Sequence, residues 1–151
     1  MTEITIFQAV TLAIALLGAA LGLINTWHTL DKNRVKLRVV PKRAIPYGAA
    51  DPRISLCIEV TNLSSFPLTI DEVGIFFKGT DRRAAVVTPV LPDNGPWPRR
   101  LEPRSSISAY SQLPEPRKGR RMRCAYARTQ CGRTVEGNSP AFKKIAEEQN
   151  V

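Results

Sequence analysis

Between Ile4 and Leu30 the chain carries no charged residue, and from Asp31 the run gives way to a basic flank of Lys32, Arg34, Lys36, Arg38, Lys42 and Arg43. Within it, Ile6 to Ile24 is apolar apart from Gln8 and Thr11. As a helix rising about 1.5 Å per residue, this stretch measures roughly 29 Å, close to a hydrocarbon core of about 30 Å. A cleaved signal needs a basic n-region and a small-residue cleavage site after a shorter apolar core. Here Met1-Thr2-Glu3 supplies no basic side chain, and the basic residues come after the run. The expectation is an uncleaved single-pass anchor over residues 1–31. The basic flank places its C-terminal side in the cytoplasm and its N-terminus outside. Trp27 and His28 then fall at the membrane–water boundary, where amphipathic rings collect.

The small and polar residues of the run are ordered. Gln8, Thr11, Ala15, Gly18, Gly22, Asn25 and Thr29 alternate in spacings of three and four, which at about 100° per residue confines them to an arc of about 100°. Val10, Ile14, Leu17, Leu21 and Ile24 project from the other side. Small residues let helix backbones approach in a bilayer, and polar ones bond across the seam. The arc is therefore the expected contact face, for a second copy or for another membrane protein.

All twelve prolines lie after this run, among segments that alternate apolar and polar residues. Val35, Leu37 and Val39 alternate with Arg34, Lys36 and Arg38, and Ile54 to Val60 with Ser55, Cys57 and Glu59. Leu68 to Phe77, Ala84 to Leu91, Ser105 to Leu113 and Met122 to Thr129 continue the series, and Gln130-Cys131-Gly132-Arg133 reads as a hairpin turn leading back through Val135. Short strands separated by Pro, Gly, Ser and Asn predict an antiparallel β-sandwich over 32–137, with Pro89 to Pro103 as a long ordered loop. Asn138-Ser139-Pro140 has the order of an N-cap followed by proline in the first turn, which predicts a short helix within 138–151. Its Phe142, Ile145 and Ala146 form one apolar side that docks on the same domain.

The order of these segments, with Glu59-Val60-Thr61-Asn62-Leu63-Ser64-Ser65-Phe66-Pro67, Ala125-Tyr126-Ala127-Arg128-Thr129-Gln130-Cys131-Gly132-Arg133 and Asn138-Ser139-Pro140-Ala141, resembles uncharacterised small single-span proteins of bacteria and their prophages. The resemblance implies a mainly β fold: an N-terminal transmembrane helix, an antiparallel immunoglobulin-like β-sandwich and a short C-terminal helix, held at a bacterial inner membrane. Its motifs are turn and strand residues, so it transfers no activity.

The chain has a net charge of +9, and Arg99 to Arg133 holds ten Lys/Arg against only Glu102 and Glu115. Arg117, Lys118, Arg120, Arg121 and Arg123 form the densest basic patch. For a tethered domain the nearest polyanion is the anionic inner leaflet, to which each basic side chain contributes about 1 kcal/mol. Lys32, Arg34, Lys36, Arg38, Lys42 and Arg43 are the expected surface contacts, with Arg34, Lys36 and Arg38 on one face of a strand. Nucleic acid is the weaker reading, because no recognised nucleic-acid motif accompanies the charge.

Catalysis is disfavoured. The only histidine is His28, which leaves the soluble part without a Cys–His or Ser–His–acid arrangement. Asp71 and Glu72 are adjacent on a strand and face opposite ways. Cys57, Cys124 and Cys131 are too few and too poorly spaced for a zinc site, and neither metal nor cofactor is expected. In the cytoplasm all three thiols stay reduced, Cys57 as a small core residue; in an oxidising compartment Cys124 and Cys131, which flank the turn, are candidates to pair. The reading is a non-enzymatic, membrane-anchored adaptor or assembly module. Its alternatives are a phage-encoded envelope effector, such as an infection-exclusion protein, and a nucleic-acid binder at the membrane surface.

Overall fold

The structure is a computed structural model that describes residues 5–48, 51–80, 82–115 and 121–149. Its elements are α1 (Ile6–Lys32), β1 (Leu37–Arg43), β2 (Ile54–Asn62), β3 (Leu68–Phe77), β4 (Arg83–Ala85), β5 (Arg99–Leu101), β6 (Ser106–Gln112), β7 (Met122–Thr129), β8 (Thr134–Gly137) and α2 (Pro140–Glu148). They divide into two compact units, Met1–Arg34 and Val35–Val151.

The first unit is the uncharged run as a continuous helix. Gln8 Oε1 accepts the Thr5 backbone N–H at 3.2 Å and closes the first turn, while Asn33 N–H donates to the Thr29 carbonyl at 3.3 Å beyond the last. No α1 residue is buried. The helix is long and apolar enough to cross a membrane.

The second unit is built from two antiparallel sheets. One has the order β1-β2-β6 and the other β4-β3-β7-β8, with β5 also pairing to β3. Val39, Leu56, Ile58 and Val60 from the first sheet and Ile70, Val73, Ile75, Phe77, Ala125 and Ala127 from the second share one core cluster. β1 is an edge strand, so it tolerates Pro41, which has no N–H to give to a ladder. The β7–β8 turn closes where Gly132 adopts a φ of +85°, a conformation open to glycine.

α2 is set by its cap. Ser139 Oγ accepts the Phe142 N–H at 3.1 Å, and the same hydroxyl donates to the Pro41 carbonyl of β1. Phe142 and Ile145 enter the core cluster, and Arg43 forms a two-oxygen ion pair with Glu148 at 3.0 and 3.1 Å. The helix docks on its own domain, as its one apolar side predicts.

Three expectations change. Arg34 is not in the first strand: it belongs to the helix unit, and β1 starts at Leu37 and continues to Arg43. Ala84 to Leu91 is not one strand, because its start pairs with β3 as β4 while Val90 bridges to Tyr110 of the other sheet. The proline-rich loop also contains β5, whose three residues pair with Leu68 to Ile70. A segment this short has no periodicity to read.

Candidate functional site

The seven residues of the expected contact face all lie on α1, but three of their four polar side chains are occupied within the helix. Gln8 accepts from Thr5, Thr11 Oγ1 donates to the Phe7 carbonyl at 2.8 Å, and Thr29 Oγ1 donates to the Asn25 carbonyl at 2.9 Å. Among the described residues, the Asn25 amide is the one polar group of the face with no hydrogen bond. Gly18 and Gly22 have open space where a Cβ would project. The face thus offers two flat glycine steps and one amide, rather than a row of free polar groups.

The basic flank divides between the units. Lys32 ends α1, and the Arg34 guanidinium lies over the Trp27 ring at 5.9 Å. The Lys36 backbone is held by the β2–β3 turn, donating to Ser64 Oγ at 2.8 Å and accepting from Leu63 N–H at 2.8 Å. Arg38 is exposed on the outward face of β1. Lys42 pairs with Glu59, and Arg43 with Glu148. Of the basic patch, Arg117, Lys118 and Arg120 lie outside the described residues. Arg121 is exposed, while Arg123 is folded onto the Phe76 ring at 5.2 Å and pairs with Glu136 at 2.6 Å.

The cysteines are placed differently from expectation. Cys57 is buried, but on the face of β2 opposite Leu56 and Ile58, outside the main core cluster. Cys131 sits at the exposed hairpin tip, while Cys124 is buried five residues before the end of β7. Strand rise separates Cys124 from that end by roughly 17 Å, far beyond the about 7 Å limit of a disulfide. They cannot pair while the hairpin is folded, so a disulfide between them is no test of orientation. Burial pushes the Cys57 and Cys124 thiols up, Cys124 also through the Glu136 carboxylate beside it. The Thr129 hydroxyl holds the Cys131 thiol below its ordinary value.

Sequence reasoning missed a cluster on the outer face of the second sheet. Tyr126, fully buried, stacks on Phe76 with ring centroids 4.4 Å apart and donates to Glu72, which Arg83 pairs at 3.0 Å. Gly74 leaves room for the phenol: a Cβ there would come 2.9 Å from Tyr126 Oη. Burial first, then Glu72, push the phenol well above its ordinary value. Tyr126→Phe is expected to cost about 1.5–3 kcal/mol, the worth of a hydrogen bond to a charged acceptor. A folded-state value above the unfolded one means this stabilisation is complete below about pH 10 and lost as pH rises further. Urea unfolding of both forms across that range should show a constant gap that narrows only on the alkaline side.

Among the described residues no group of three or more His, Cys, Asp or Glu is placed to hold a metal ion. The chain matches no protein-family model, and comparison with curated proteins finds no match.

Proposed function

We propose that this chain is a non-enzymatic, single-pass protein of a bacterial inner membrane, with its N-terminus outside and its β-domain in the cytoplasm serving as an adaptor or assembly module. The carrying observation is an apolar 27-residue helix with no buried residue, followed in sequence by a unit that has its own core. A helix with that much uncovered apolar surface needs lipid or protein around it, and the basic residues at its C-terminal end favour the cytoplasm for the β-domain. An immunoglobulin-like sandwich is supported by strand order. β1-β2-β6 opposite β4-β3-β7-β8 corresponds to strands A-B-E opposite C′-C-F-G of that fold. Arg34, Lys36 and Arg38 would meet the anionic leaflet, and the α1 face would recruit a second copy or another membrane protein.

Gly18→Leu with Gly22→Leu tests the recruiting face. Both sites have open space for a side chain, so the helix itself is undisturbed. Loss of close backbone approach should weaken association by about 1–2 kcal/mol, roughly 5- to 30-fold, in an energy-transfer assay in liposomes. The same variant in a mild-detergent pull-down should lose the membrane protein or second copy that wild type retains. An unchanged captured set, with unchanged energy transfer, contradicts the adaptor role of α1.

A further inference from the structure

Register aligns three donor side chains across the first sheet. Lys42 of β1 is the partner of Cys57 in β2, and Cys57 is the partner of Tyr110 in β6. Neighbouring strands lie about 4.8 Å apart, so the row spans roughly 10 Å on the face directed away from the core. Cys57 should be open to solvent there, yet it is only 5% exposed. The chain leaving β1 borders an open cavity of about 510 Å³ at that end of the sheet, whose walls include Lys42, Ile45, Cys57, Val90 and Tyr110. That size suits a small organic ligand. A second hollow of about 530 Å³ shares Ile54, Val90 and Tyr110 with it and continues along Val86 and Val87.

The chemistry of the first cavity is one-sided. Its walls are mainly apolar and include no carboxylate; of its two basic residues, Lys42 shares the face of Cys57, while Arg43, the register partner of core Leu56, turns its guanidinium to Glu148 on the other face. Glu59 and Glu148, which pair with Lys42 and Arg43, are not part of that lining. The Lys42 ammonium has three donors, so it can serve Glu59 and a further anion together. Burial keeps the Cys57 thiol protonated, and the adjacent Cys57 followed by burial pushes the Tyr110 phenol up, so both remain donors. At the mouth, Ile45 and Tyr47 are 83% and 95% exposed.

We propose that this cavity binds an amphipathic anion, with its carboxylate or phosphate at Lys42 and its apolar body running past Val90 toward Val87. The site does not depend on the adaptor reading. A free amphiphile and an anionic lipid share this chemistry, and the experiment separates them.

Cys57 in the cavity wall is the reporter. The full chain in phosphatidylcholine nanodiscs is treated with a small thiol reagent, and each cysteine is followed by peptide mass spectrometry. Decanoate below its micellar concentration should slow Cys57 labelling about tenfold, decanol less than twofold, and exposed Cys131 should be unaffected by either. Lys42→Met should abolish the difference between decanoate and decanol. Slow Cys57 labelling in phosphatidylglycerol nanodiscs without decanoate would identify a bilayer lipid as the anion. Equal slowing by decanoate and decanol, discrimination retained in the Lys42→Met variant, or no protection in any arm would overturn the site.

Discussion

Asn62→Ala is expected to remove about 3–5 kcal/mol from the β-domain, a large share of what a domain of this size has. Asn62 is fully buried at the end of β2. Its Nδ2 faces the carbonyls of Phe66, Leu101 and Glu102 at 2.9, 3.1 and 3.3 Å, and its Oδ1 accepts Ser64 N–H at 2.9 Å. Its backbone also exchanges bonds with Arg104 and Ser105, each at 2.9 Å. One amide therefore joins the β2–β3 turn to the chain between β5 and β6, and alanine would leave those buried groups unpaired. Asn62→Asp should be worse at neutral pH, since a carboxylate would face carbonyls that need a donor. The folded-state pKa of that aspartate would be raised, so stability should recover as pH falls toward the unfolded value of about 4 and be lost again on the way up. Urea unfolding of the full chain in detergent measures both; a cost below about 1 kcal/mol for Asn62→Ala would mean that the turn is held by other means.

Gly137→Val is expected to cost at least about 3 kcal/mol, for a steric reason. A Cβ at Gly137 would lie 1.8 Å from the Val39 carbonyl oxygen and 2.8 Å from the Val39 Cβ. The obstacle is main chain at the place where β8 of one sheet meets β1 of the other. Displacing β1 there also strains the Ser139–Pro41 bond that seats α2. Gly132→Ala is the informative control. Its φ of +85° disfavours a side chain, but nothing lies within 4 Å of the added Cβ, so it should cost only about 1 kcal/mol. Similar thermal shifts for the two variants would show that the contact between β1 and β8 is looser than described.

Sequence pattern carried furthest where one physical constraint dominates. A 27-residue helix without charge until its last turn is legible because the absence of charge is itself the signal. Met122–Thr129 and the Ser139 cap are legible because alternation and capping are local. Cys57 shows the limit: Leu56, Cys57 and Ile58 are all buried in succession, so periodicity alone could not say that the thiol faces a cavity outside the core cluster. Asn62 looked like one more turn residue, because the carbonyls it binds from Leu101 and Glu102 are about forty positions away in sequence. Arg34 looked like part of an alternating strand because a helix end and a strand start meet there without a proline or glycine between them. The expected α1 face was visible as spacing, but which of its polar groups stay free depends on helix-internal bonds that spacing does not reveal.

Cys131 provides the most direct test of a membrane-spanning α1 with a cytoplasmic domain. It is the one exposed cysteine, and its thiol ionises more readily than usual, so a membrane-impermeant thiol reagent reports which side of the bilayer the hairpin occupies. In cells whose inner membrane is intact, with the chain retained in the membrane fraction after alkaline carbonate washing, Cys131 should remain unlabelled and become labelled when that membrane is permeabilised. Labelling of Cys131 in the intact cells, or release of the chain by carbonate, would contradict it.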